Sequence, residues 1–258
     1  FIVSLMTLFS EEQFLSWGWR IPFLMSAVLV LLGLWIRKDI DETPEFKKVK
    51  QSGQVAKAPL RDTLTHHWRE VLIAAGLKVV ETAPFYIFST FIVSYATTTL
   101  TYQKSQVLEA VTLGALVATV MIPLMGLLSD KIGRKRMYAV SVALLGLFIL
   151  PWFMLLDTGT TWAIMLATVV MFGIIWAPIT AVLGTLCSEI FSANVRYTGI
   201  TLGYQIGAAL AGGTAPLIAT GLLAKYDGDW VPVAWYLGAT VTISLIAIFF
   251  ASRSRRID

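Results

Sequence analysis

Apolar residues are gathered into seven long stretches, and short polar segments separate them. Each stretch is about 20 residues long, enough for a helix to cross ~30 Å of hydrocarbon. The stretches are apolar around the whole helical circumference, whereas a surface helix of a soluble protein keeps a polar face. We therefore predict seven membrane-spanning helices, at residues 17–36, 70–97, 107–128, 137–156, 162–187, 199–224 and 232–252.

Composition excludes the main alternative classes of protein. Charged residues make up 14% of the 258 residues and apolar residues 57%, whereas soluble domains carry nearer ~25% charged residues. A single cysteine, Cys187, excludes a disulfide scaffold. The alternating pattern of a membrane β-barrel is absent. The predicted fold class is an all-α, polytopic membrane helical bundle.

Lysine and arginine are distributed unequally between the two sides that these helices define. When loops alternate between sides, one side receives sixteen of the 20 Lys and Arg residues, and Lys78 lies inside a span. The positive-inside rule makes that side cytoplasmic, together with the C-terminus. Its loops are 37–69, 129–136, 188–198 and 253–258, and the opposite side holds Arg20, Lys104 and Lys225.

The order of the stretches predicts a division of the chain. Residues 1–9 are typical of the end of a further helix, so the chain is expected to be a fragment of a longer protein. Residues 1–36, which include this partial helix and the helix at 17–36, would end an N-terminal bundle. A cytoplasmic linker (37–69), a six-helix bundle (70–252) and a cytoplasmic tail (253–258) would follow.

The six-helix region consists of two triplets, 70–156 and 162–252, with prolines at matching places in their first and second helices. Because a triplet crosses the membrane an odd number of times, the second would enter from the opposite face. Proline removes a hydrogen bond and kinks a helix, and matched breaks in inverted repeats favour a substrate path. The alternative is that proline is simply common in membrane helices. The prolines are Pro84, Pro123, Pro178 and Pro216.

Lys78 and Glu81 are the charged residues well inside a predicted span. Both fall in one sector of the helix with Tyr86. A charge at the bilayer centre costs ~3 kcal/mol or more, so it normally faces a cavity or a partner. The alternatives are that the two side chains pair with each other or extend towards the interface. For Glu81, we expect a cavity role and an ability to exchange protons.

Residues 199–224 combine a small-residue stripe with polar side chains. Gly199, Gly203 and Gly207 recur every four residues, which permits close approach of another helix. Tyr204 and Gln205 are expected to border a polar cavity, because a glutamine facing lipid is costly. Trp176, next to Pro178, is expected either to form an aromatic wall or to pack in the interior.

The polar segment 126–136 reads GLLSDKIGRKR and includes Asp130 and Arg134. It resembles the G-x-x-x-D-[RK]-x-G-R-[RK] signature of the major facilitator superfamily. The two glycines of this segment have a geometric reason, since Gly126 would permit close packing and Gly133 a tight turn. Glu189 and Arg196, with six residues between them, resemble a pattern of sugar-porter-like members.

Three further segments narrow the resemblance. Residues 17–23 (WGWRIPF), 42–46 (ETPEF) and 195–199 (VRYTG) are similar to the metabolite:H+ symporter family, which includes shikimate, α-ketoglutarate, citrate and proline/betaine carriers. This resemblance covers essentially the whole chain. It implies the major facilitator fold, with this chain as the sixth to twelfth helices of a twelve-helix transporter.

The resemblance also implies roles for four residues on the cytoplasmic side. Asp130, Arg134, Glu189 and Arg196 would form charge-assisted contacts that hold the cytoplasmic ends of the helices together and break during alternating access. The alternative for Arg134 and its basic neighbours is that they only fix the topology.

The resulting hypothesis is a secondary transporter in a bacterial inner membrane, not an enzyme, that moves a small organic acid or other polar metabolite by proton symport. Its pathway would include Lys78, Glu81, Tyr86, Trp176, Tyr204 and Gln205. The expected partners are the metabolite, H+, lipid and a missing N-terminal half, with no nucleic acid. Because the proton gradient supplies the energy, no cofactor and no metal are expected. A passive uniporter and a non-transporting seven-helix sensor are the alternatives.

Overall fold

The computed structural model describes residues 10–38 and 59–254, and within these ranges the chain is helical and contains no strand. Seven helices in the described ranges are long and apolar enough to cross a membrane, which confirms the predicted all-α class. The helices are α1 (Glu11–Ser16), α2 (Gly18–Lys38), α3 (Pro59–His66), α4 (Trp68–Thr98), α5 (Lys104–Ile132), α6 (Arg134–Leu156), α7 (Thr161–Ser188), α8 (Arg196–Lys225) and α9 (Val231–Ser254).

The long helices coincide with the predicted spans and extend a few residues further into polar sequence. The stretch expected at 107–128, for example, is α5, which begins at Lys104 because Gln103 and Gln106 cap its start. The Gln103 backbone N–H donates to the side-chain oxygen of Gln106 at 3.1 Å. The predicted partial helix at 1–9 and residues 255–258 of the tail lie outside the described residues. So does most of the predicted linker, whose last part forms α3.

The chain divides into two compact units, residues 1–53 and 54–258. In the described part of the first unit, Ser10 caps α1, its hydroxyl accepting from the Gln13 amide at 3.3 Å. The apolar side chains of α2, such as Leu24 and Leu29, are exposed. A helix of this composition suits an apolar environment and not water.

In the second unit, α4 packs closely against α8 and α9. Two of the three glycines in the predicted stripe bring α8 to α4. A Cβ atom on Gly203 would lie 2.5 Å from the Ala74 Cβ, and one on Gly207 would lie 2.5 Å from the Ala75 carbonyl oxygen. Because only glycine fits at these distances, the sequence fixes how near α8 comes to α4.

Three of the four matched prolines lie within four residues of a π-helical turn. These turns occur at Ile87–Phe91 after Pro84, at Val169–Ile175 before Pro178 and at Ala208–Gly212 before Pro216. Proline removes one backbone donor from a helix, and π-helical turns are rare and recur at functional sites. Around Pro123, α5 remains α-helical. The expected breaks are therefore present in α4, α7 and α8.

Asp157 joins three helices at the end of the bundle opposite Arg134. Its carboxylate accepts from the Tyr95 hydroxyl at 3.2 Å and from the Trp230 indole N–H at 2.6 Å. The Trp230 ring also stacks on Phe153 at 4.8 Å between centroids. Nearby, burial raises the pKa of Tyr102, which keeps its hydroxyl protonated to donate to the Leu156 carbonyl at 2.9 Å. These contacts fix the ends of α4, α6 and α9.

Candidate functional site

An ion pair lies inside the helical bundle, on the first half of α4. The Lys78 Nζ and a Glu81 carboxylate oxygen are 2.5 Å apart, and their side chains are only 18% and 13% exposed. The spacing of three residues places both side chains on the same face of the helix. Pairing offsets the cost of holding two charges away from water.

Hydroxyl groups surround the Glu81 carboxylate. The Thr82 hydroxyl lies within hydrogen-bond distance of two acceptors, the Glu81 oxygen that pairs with Lys78, at 2.9 Å, and the Lys78 backbone carbonyl, at 3.0 Å. The Thr180 hydroxyl of α7 donates to the other oxygen, at 3.4 Å. Both oxygens therefore have a hydrogen-bond donor, one of them from a second helix, and the carboxylate is held at the contact between α4 and α7.

Aromatic rings pack next to the Glu81 backbone on the α7 side. The indole N–H of Trp176, which is 6% exposed, donates to the backbone carbonyl of Glu81 at 2.7 Å. Its ring packs against Phe85, with 5.4 Å between centroids, and against Phe172 at 5.3 Å. The π-helical turn of α7 immediately precedes Trp176 and gives the ring its position. Trp176 therefore both packs in the interior and binds the helix that carries the ion pair.

On the α8 side, the Lys78 ammonium group lies 4.8 Å from the centroid of the Tyr204 ring, within range of a cation–π interaction. Gly207 makes this approach possible, because a Cβ atom there would lie 2.8 Å from the Lys78 Cβ. Helix α8 consequently contributes an aromatic face to one partner of the pair, while α7 contributes a hydroxyl to the other.

A second charged cluster lies where α5, α6 and α7 begin or end. Arg134 donates to Glu189 at 2.5 Å and to Asp130 at 3.0 Å, so one guanidinium group links two carboxylates. Gly133, with a φ of +92°, makes the tight turn between α5 and α6 that brings Asp130 and Arg134 together. Arg196 donates through its Nε to the Phe191 carbonyl at 3.4 Å.

This cluster borders a cavity of about 710 Å³. The cavity wall mixes the charged groups with apolar side chains such as Leu186 and Phe191. The cavity therefore lies at the junction of three helix ends, next to the charged cluster.

Comparison with known proteins identifies the family. The sequence profile of the Major Facilitator Superfamily matches residues 12–202 and 78–257. The chain belongs to the Major Facilitator Superfamily. It is 33% identical to the shikimate transporter of Escherichia coli over 99% of its own length and 58% of that protein.

Two further relatives are named as carriers of small metabolites. The chain is 30% identical to a glycine betaine/proline/ectoine/pipecolic acid transporter of Dickeya dadantii, over 96% of this chain and 51% of that protein. It is 31% identical to a proline/betaine transporter of Salmonella typhimurium, over 95% of this chain and 50% of that protein. The chain thus spans about half the length of the curated relatives it matches. No solved structure matches it.

This membership, together with these relatives, confirms the resemblance to metabolite:H+ symporter-like transporters, a family of multi-pass membrane proteins and not of enzymes. Of the six residues predicted for the pathway, Lys78, Glu81, Trp176 and Tyr204 lie together. Tyr86 lies further along α4, where its ring borders Gly212, and is 37% exposed. Gln205 is exposed on α8.

Sequence reasoning missed the residues of other helices that bind the Glu81 carboxylate or the α4 backbone next to the ion pair. Thr180 lies two residues after Pro178, and Tyr138 and Ser244 lie in otherwise apolar stretches. The Tyr138 hydroxyl donates to the Leu77 carbonyl at 2.5 Å, and the Ser244 hydroxyl donates to the Gly76 carbonyl at 2.6 Å. A hydroxyl in an apolar stretch is a weak signal, because the sequence does not say which helix it faces.

Proposed function

We propose that this chain is the C-terminal part of a proton-coupled secondary transporter for a small organic acid or zwitterion. The observation that carries the proposal is the Lys78–Glu81 ion pair, held inside the bundle by hydroxyl and aromatic groups from α7 and α8. In a membrane helix, paired ionisable groups of this kind mark a substrate or proton route.

The pair offers a physical basis for coupling. While Glu81 is ionised, its carboxylate forms an ion pair with the Lys78 ammonium group, 2.5 Å away. Protonation of Glu81 would remove the negative charge and release Lys78 to bind the carboxylate of a substrate. Proton and anion would then bind together, as symport requires, and each would favour binding of the other.

The relatives suggest the substrate class. Shikimate carries a carboxylate, and proline and betaine carry a carboxylate together with a positive charge. Lys78 suits the carboxylate in each of them. The rings of Trp176 and Tyr204 suit the cationic group of a zwitterion. We propose that a molecule of this size and charge binds between α4, α7 and α8.

Alternating access would connect this site to each side of the membrane in turn. The Arg134–Asp130–Glu189 cluster, with Arg196 close by in the sequence, would act as a gate whose contacts break when that end opens. We propose that the side with Arg134 is cytoplasmic, that the protein lies in a bacterial inner membrane, and that a second bundle faces Tyr86 and Gln205.

Uptake by the full-length protein in proteoliposomes tests the proposal. An inward proton gradient should drive accumulation of radiolabelled shikimate, proline or glycine betaine above the external concentration, and a protonophore should abolish it. Uptake that only equalises the internal and external substrate concentrations and does not depend on the proton gradient would indicate a passive uniporter. Absence of uptake of all three compounds would contradict the proposed substrate class.

A further inference from the structure

Ser244 of α9 bonds to the backbone of α4 next to the ion pair. Its hydroxyl donates to the Gly76 carbonyl at 2.6 Å and accepts from the Val80 amide at 3.1 Å. In a regular α-helix, the amide of residue 80 bonds to the carbonyl of residue 76. The serine therefore bridges two groups that normally bond to each other, and Lys78 lies between them.

Small residues allow α9 to come close enough for this contact. A Cβ atom on Gly76 would lie 2.8 Å from the Cβ of Ala247, which is one turn beyond Ser244. The Ser244 side chain is fully buried, and its two hydrogen bonds to α4 are to backbone groups. Gly76 and Ala247 therefore set the distance between α4 and α9 that Ser244 needs.

Tyr138 of α6 binds the next carbonyl along. Its hydroxyl, fully buried like that of Ser244, donates to the Leu77 carbonyl at 2.5 Å. The Trp176 indole donates to the Glu81 carbonyl at 2.7 Å. Side chains from α6, α7 and α9 thus bind backbone groups of α4 on both sides of Lys78 and at Glu81.

The sequence of α4 gives a reason for these external contacts. Pro84 has no N–H, so the Val80 carbonyl lacks its usual partner within the helix. A turn that has lost an internal bond opens more readily than its neighbours. The weakened turn, residues 80–84, contains Glu81 and directly follows the Gly76–Val80 turn that carries Lys78. Contacts from other helices would therefore decide how the Lys78–Glu81 pair is oriented.

We propose that Ser244, together with Tyr138, is a positioning residue for transport: the two hydroxyls hold the Gly76–Val80 turn so that Lys78 and Glu81 face the pathway as a pair. The proposal rests on the proposed function of that pair. Neither residue is expected to touch the substrate, because both are fully buried behind α4.

Kinetics of the full-length protein in proteoliposomes test the positioning role. With radiolabelled shikimate, proline or glycine betaine as the probe, Ser244→Ala should raise KM about fivefold, the effect of one lost hydrogen bond, with a smaller change in kcat. Tyr138→Phe should act in the same direction, and Ser244→Thr, which keeps the hydroxyl, should recover part of the loss.

Two matched controls separate positioning from general loss of packing. Thr240 is buried one turn earlier on α9, but its hydroxyl donates to Leu237 of its own helix at 2.7 Å. Tyr102 is buried and donates to a backbone carbonyl at the opposite end of the bundle. Thr240→Val and Tyr102→Phe should leave KM unchanged.

Backbone hydrogen exchange supplies a readout that needs no substrate. In lipid nanodiscs, Ser244→Ala should speed exchange of the peptide that covers residues 76–81 and leave α5 unchanged. Unchanged exchange would overturn the proposed contact, and faster exchange with an unchanged KM would overturn the positioning role. If the wild type moved no probe, the proposed function and the positioning role would both fail, while exchange would still show whether the contact exists.

Discussion

At the scale of single residues, the sequence reveals charges and glycines better than it reveals hydroxyl partners. Lys78 and Glu81 stand out because charged residues are rare in an apolar stretch, and they do form a pair. Gly133 makes its expected turn at a φ of +92°, whereas a Cβ atom on Gly126 would meet nothing within 4 Å. Close packing at Gly126 involves no contact within the described residues and stays a prediction.

Removal of one charge from the ion pair should destabilise the protein. Lys78→Met leaves the Glu81 carboxylate without its cation in a site where its side chain is 13% exposed, and the free energy of unfolding should fall by about 3 kcal/mol. Thermal unfolding of the purified full-length protein in detergent measures the change.

The double variant Lys78→Met/Glu81→Gln is the control for this prediction. It removes both charges, so most of the stability should return while gradient-driven transport stays lost. Equal destabilisation by the single and double variants would mean that the two charges do not compensate each other.

At the scale of elements, hydrophobic patterning located all seven long helices in the described residues, because membrane thickness sets their length. Patterning also located the breaks at Pro84, Pro178 and Pro216. It could not predict π-helical turns, which depend on how each helix redistributes its hydrogen bonds against its neighbours. Nor could it pair α4 with α8 and α9, since tertiary contacts leave no periodic signal.

A methyl group at the α4–α8 contact tests whether the glycine stripe governs packing. Gly207→Ala would place a Cβ atom 2.5 Å from the Ala75 carbonyl oxygen, and the helices must separate. The free energy of unfolding should fall by about 1–3 kcal/mol.

Gly221→Ala, on the same helix, provides the matched comparison. A Cβ atom there meets nothing within 4 Å, so the alanine should leave stability unchanged or raise it slightly. Equal effects of the two substitutions on the thermal midpoint would show that the contact at Gly207 is unimportant.

At the scale of the whole molecule, the unequal distribution of Lys and Arg predicts the side on which each helix end lies. In a Cys187→Ser background, a membrane-impermeant maleimide should label Lys225→Cys in right-side-out vesicles. It should label Lys131→Cys only after the vesicles are opened. Both native side chains are exposed, so reactivity reports sidedness, and the reverse pattern would invert the topology.

The central claim is that Glu81 couples substrate movement to the proton, and Glu81→Gln tests it most directly. The amide resembles the protonated carboxyl group and releases Lys78, so the variant should still exchange labelled for unlabelled substrate across proteoliposome membranes. It should no longer accumulate substrate against a gradient. Glu109→Gln, at an exposed position on α5, should keep both activities, whereas proton-driven accumulation by Glu81→Gln at the wild-type level would contradict the account.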